Sequence, residues 1–115
     1  MNSNIQAMIT NVSVDDLEEA IPLYKELAGN PEVLRFPYEE MQLALVGPFL
    51  LISGPRGNHE AQNATILVHD LTLVQEALGR AGAAIVDAPS EVPNGTRLVA
   101  RHPDGAVFEY LQPRG

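Results

Sequence analysis

At 115 residues the chain has the length of a single domain, and a hydrophobic content of 45% is ordinary for a globular protein. Seven Lys and Arg against fifteen Asp and Glu leave a formal charge of -8, with the basic residues scattered, so nucleic acid and anionic membrane surfaces are not expected as partners. The absence of cysteine removes disulfides, thiol nucleophiles and thiolate metal sites, and no apolar run approaches the roughly 20 residues that span a bilayer.

The N-terminus, Met1 to Asn4, has no basic segment followed by an apolar one, so a cytoplasmic protein without a signal peptide is expected. Ile5 to Val14 alternates and predicts a strand, with Val12 and Val14 on one face and Ile9, Asn11 and Ser13 on the other. Asp15 or Asp16 then caps a helix whose apolar stripe is Leu17, Ala20, Ile21, Tyr24, Leu27 and Ala28. Gly29-Asn30-Pro31 ends it, and Pro22 removes one of its hydrogen bonds. Three short strands follow at Val33 to Phe36, Met41 to Val46 and Phe49 to Ser53, and Gly54 to Asn58 reads as a polar linker.

Beyond the linker the pattern restarts. Ala64 to Val68 predicts a strand, Asp70 a helix cap, and Leu71, Val74, Ala77, Leu78 and Ala81 the stripe of a helix stopped by Gly82. Ala84 to Val86 reads as a brief strand and Asp87 to Gly95 as a proline-containing loop. Thr96 to Gln112 then predicts a hairpin turning on Pro103-Asp104-Gly105, where proline presets φ and glycine accepts a positive one. In that register Arg97, Val99 and Arg101 share a face with Val107, Glu109 and Leu111, while Leu98, Ala100, Phe108 and Tyr110 turn toward a helix.

The order is β-α-β-β-β, twice. Val14-Asp15-Asp16-Leu17 recurs as Val68-His69-Asp70-Leu71, and Gly47 to Ile52 lines up with Gly105 to Tyr110. Residues 1–115 are therefore read as one domain of two modules, about 5–54 and about 62–112.

The two Val-x-Asp-Leu elements and the closing Arg-His-Pro-Asp-Gly-Ala-Val-Phe-Glu-Tyr resemble the vicinal oxygen chelate superfamily, the glyoxalase, bleomycin-resistance and extradiol dioxygenase group. The resemblance implies a glyoxalase-like α+β fold, in which two paired β-α-β-β-β modules form open half-barrel sheets around a cleft, commonly in a homodimer. Metal-dependent members place a ligand on the first and last strand of each module, and those positions fall here at Ile9, Leu51, Asn63 and Glu109. Only Glu109 suits a divalent cation, so no cofactor is expected and a catalytic metal is disfavoured.

The three histidines do not restore a site. His59 lies in the linker, His69 before a helix cap and His102 beside the turn, and each is read as a surface residue. By strand parity the cleft would be lined by Asn11, Asn63, Thr65, Arg97, Arg101 and Glu109 among apolar neighbours, a composition suited to a small, partly apolar molecule. Glu109 has two readings: an ion pair with Arg97 or Arg101, or a contact to ligand. The alternative function is a metal-dependent lyase, isomerase or dioxygenase using Glu109 with added donors such as Gln6, Asn11 or His69.

Overall fold

A computed structural model describes residues 3–55 and 62–114. His59 and most of the linker lie outside them. Two compact units divide the chain: residues 9–60, and residues 1–8 with 61–115. The boundary falls inside the first strand, β1 (Ile5–Ser13), rather than before it.

The first unit is built from the second half of β1, helix α1 (Leu17–Leu27) and strands β2 (Val33–Tyr38), β3 (Met41–Val46) and β4 (Phe49–Ser53). Its strand order is β2-β3-β4-β1, with β1 parallel to β4 and the other pairs antiparallel. Asp16 is the N-cap: its carboxylate accepts from the Glu19 N–H, and Glu18 and Glu19 sit in the first turn, where the helix dipole favours negative charge. The helix continues through Pro22. Ile21 is buried with Ala44, Val46 and Leu51, and Val12, Val14, Leu17, Ala20 and Tyr24 pack against that cluster. Leu27, expected in the stripe, is 65% exposed, because six residues on from Ile21 at about 100° per residue it points about 120° away from the buried direction.

The second unit repeats this plan. Strands β5 (Ala64–Val68), β6 (Ala84–Val92), β7 (Gly95–Arg101) and β8 (Val107–Pro113) run in the order β6-β7-β8-β5, and β5 is parallel to β8. Helix α2 (Leu71–Ala81) lies on one face. Its cap is doubled: the Asp70 carboxylate accepts from Thr72 N–H and the Gln112 side-chain oxygen accepts from Leu71 N–H, so two of its four orphan donors are satisfied. Leu71, Val74 and Leu78 bury against Ile66, Val68, Leu98, Ala100 and Tyr110. The first half of β1 is tied to this unit by His69 N–H to the Asn4 carbonyl and by two bonds between Asn4 and Asp70.

The hairpin has the expected register, Val99 opposite Glu109 and Arg97 opposite Leu111. Gly105 takes φ +95, and the turn is closed by bonds between His102 and Ala106 and from Gly105 N–H to the His102 carbonyl. Two expectations need correction. The segment after Val86 is not a loop, since β6 continues to Val92 with register shifts around Asp87 and Ser90, and the turn is confined to Pro93 and Asn94. Likewise Pro37 and Tyr38 belong to β2. Both strands lie at the outer end of their unit's strand order, where a missing proline N–H costs no ladder bond.

Candidate functional site

The hairpin alternation puts Arg97, Val99, Glu109 and Leu111 on the face of the second unit's sheet turned away from α2. Val99, Val107 and Leu111 are buried there. The parallel pairing of β5 with β8 brings Thr65 opposite Glu109. One Glu109 oxygen, Oε1, accepts from the Thr65 hydroxyl at 2.9 Å, and the other, Oε2, accepts from Arg97 Nε at 2.6 Å. The side chains of Arg97 and Glu109 are 13% and 20% exposed, so this pair is shielded from most of the solvent screening that weakens surface ion pairs. From β6, the half-exposed Asp87 carboxylate approaches Arg97 Nη2 at 3.7 Å. The side-chain pairing of Glu109 is thus with Arg97.

Thr65, Arg97 and Glu109 are brought together; the other three predicted site residues are placed differently. Asn63 stands just before β5, and its side-chain oxygen accepts from Val107 N–H at 2.8 Å while its own N–H donates to the Val107 carbonyl, so its amide holds the start of β8. Arg101 is exposed at the end of β7. Asn11 belongs to the first unit, on β1 opposite Leu50.

At the four positions that the resemblance singles out for metal ligands, Leu51 is fully buried, Ile9 has no donor atom and the Asn63 oxygen is engaged by backbone. Glu109 is the one carboxylate of the four, and both its oxygens already accept hydrogen bonds. Among the described residues, no group of three His, Cys, Asp or Glu could hold a metal ion. The donor set therefore does not fit a divalent cation. The first unit has an open depression of about 300 Å³ lined by Ser13, Val14, Asp15, Ile52 and Gly54, with a single carboxylate and no cation-ligand set either.

Of the histidines, His69 is exposed as expected, and its Nδ1 lies 2.9 Å from Gln6 Nε2. His102 is not a free surface residue. It is half-buried, its ring meets Phe108 with centroids 4.9 Å apart, and its Nε2 shares a hydrogen bond of 2.6 Å with the Tyr110 hydroxyl. Burial pushes the Tyr110 hydroxyl above its ordinary pKa. Sequence reasoning also missed Asp87. It lies in the segment expected to be a loop, and alternation gave no signal, because the register shift between Ile85 and Asp87 breaks the period of two: Ile85 pairs with Ala100 and Asp87 with Val99.

A solved structure of an uncharacterized protein from Methanosarcina mazei is similar to this chain at 33% identity and a TM-score of 0.85, over 97% of this chain and 95% of that one. Methylmalonyl-CoA epimerase from Mycobacterium tuberculosis aligns over 100% of this chain and 93% of its own, with 17% identity and a TM-score of 0.68. A Streptomyces coelicolor methylmalonyl-CoA epimerase variant in complex with 2-nitronate-propionyl-CoA gives 13% identity and a TM-score of 0.70, covering 96% and 99%. No family model and no curated protein matches the sequence. The chain therefore belongs to the same family as the Methanosarcina mazei protein, and its α+β fold of two β-α-β-β-β modules is glyoxalase-like, the fold it shares with the methylmalonyl-CoA epimerase structures.

Proposed function

We propose that this protein binds a small, partly apolar molecule on the Thr65-Arg97-Glu109 face and does so without a catalytic metal. One observation carries the reading: the only metal-type ligand among the four inherited positions, Glu109, has both oxygens committed to Thr65 and Arg97. A carboxylate held this way serves to fix a partly exposed guanidinium in an apolar setting, beside buried Val99 and Leu111, and a few placed polar groups in apolar surroundings are what small-ligand sites use. The alternative, a divalent-metal-dependent lyase, isomerase or dioxygenase, draws on the contact between His69 and Gln6, but that pair supplies only one good ligand.

The test is a protein-observed ¹H–¹⁵N screen of small aromatic and alicyclic fragments, run with chelator and again with Zn²⁺ or Mn²⁺. The expected result is hits that shift Thr65, Val99 and Glu109 equally in both conditions. Stoichiometric metal binding that is lost in Glu109→Ala would overturn the metal-free reading and put the enzyme first.

A homodimer in the cytoplasm completes the proposal. In the first unit, Leu34, Phe36 and Tyr38 of β2 share one face and are 53%, 42% and 41% exposed, an apolar strip of the kind that association covers. Sedimentation at micromolar concentration should give a dimer, and Phe36→Glu should dissociate it. A monomer across that range would refute the association. No described helix is long and apolar enough to cross a membrane.

A further inference from the structure

The electrostatics around Arg97 narrow the ligand class, on the assumption that this face binds a small molecule as proposed above. Arg97 Nε is taken by Glu109 and Nη2 faces Asp87. No described residue meets Nη1, and no buried side-chain nitrogen or oxygen among the described residues lacks a partner, so Nη1 reaches solvent. It offers two N–H donors, and the rest of the guanidinium is clamped, so those donors point in a fixed direction.

The charge beside them is not positive. Arg97 contributes one positive charge and Asp87 and Glu109 one negative charge each, which sums to a net of one negative. Arg101 lies on the same face four residues along β7, its Cα about 13 Å from that of Arg97 at the rise of a strand, and its exposed charge is screened by salt with a Debye length of about 8 Å. An anion approaching Nη1 thus meets two carboxylates just behind the guanidinium, whereas a neutral acceptor collects the hydrogen bonds without that repulsion.

We infer that the ligand presents an uncharged oxygen acceptor to Arg97, a carbonyl or amide oxygen attached to an apolar ring or chain, and that free carboxylates and phosphates are turned away. Four probes that share one ring separate the cases: acetophenone, benzamide, benzoate and phenyl phosphate, titrated into ¹⁵N-labelled protein with the Arg97 Nε resonance and the amides of Thr65, Val99 and Glu109 as readout. The neutral pair should bind at least about threefold tighter than the anionic pair, and Asp87→Asn should narrow that ratio. A smaller ratio, or anions binding tighter at Arg97, would overturn the neutral-acceptor inference and leave small-molecule binding standing. If none of the four moves Arg97 or its neighbours at millimolar concentration, the binding reading of this face itself fails.

Discussion

Removing Glu109 tests whether the pair it makes is solvent-screened or structural. In Glu109→Ala, Arg97 loses its 2.6 Å partner and Thr65 loses the acceptor of its 2.9 Å bond, while the guanidinium stays mostly shielded, with Asp87 at 3.7 Å its remaining carboxylate among the described residues. A fully exposed ion pair would be worth up to about 1 kcal/mol, and breaking a fully buried one costs about 3–5 kcal/mol. With side chains 13% and 20% exposed, the loss should fall between, near 2 kcal/mol. Urea unfolding followed by circular dichroism reads this as a midpoint lower by about 1 M at a slope of about 2 kcal/mol per M. The double-mutant cycle with Arg97→Ala isolates the pair, and its coupling should be about 1–2 kcal/mol. A coupling below about 0.5 kcal/mol would show that solvent screens the pair, and the view of Glu109 as the residue that fixes Arg97 would be wrong.

Three further outcomes are expected. In Gly95→Ala, a Cβ would overlap the Gln112 carbonyl oxygen and press on Pro113 Cα, at φ +153, so backbone must move and the cost should exceed about 2 kcal/mol in the same urea assay. Leu98, fully buried under α2, should cost about 3 kcal/mol as Leu98→Ala; a value below about 1 kcal/mol would mean that α2 does not pack there as described. Tyr110 holds its proton above the unfolded value of about 10, so the native state binds more protons than the unfolded one above that pH. Stability should then fall as pH rises through about 10, and Tyr110→Phe should flatten that part of the urea-midpoint profile even though it loses the His102 bond.

Much of the architecture was legible because local rules and tertiary packing agree. Asp16 and Asp70 cap the helices they precede, Gly82 ends α2 in the left-handed conformation, and the alternation of β7 and β8 sorts Leu98, Ala100 and Tyr110 toward α2. Where one face is buried, a slip of one residue would expose the whole apolar set, so a period of two in the sequence fixes the register. Of the six candidate residues, parity put three, Arg97, Glu109 and Thr65, on one face.

Partner choice was not in the sequence. Arg97 and Arg101 have the same parity, and both could have been drawn to Glu109; the antiparallel pairing of Val99 with Glu109 leaves them on its two diagonals, and the carboxylate turns to Arg97. Asn63 had the parity of a lining residue, yet its place just before β5, beside the start of β8, gave its side chain a backbone N–H to satisfy. Asp87 was hidden because a bulged strand with Asp, Pro and Ser lacks strand propensity, and only pairing with β7 holds it extended. Short-range chemistry, which is capping, turns and alternation, is therefore written in the chain itself. Which oxygen meets which donor depends on strands far apart in sequence, and only their packing into one sheet decides it.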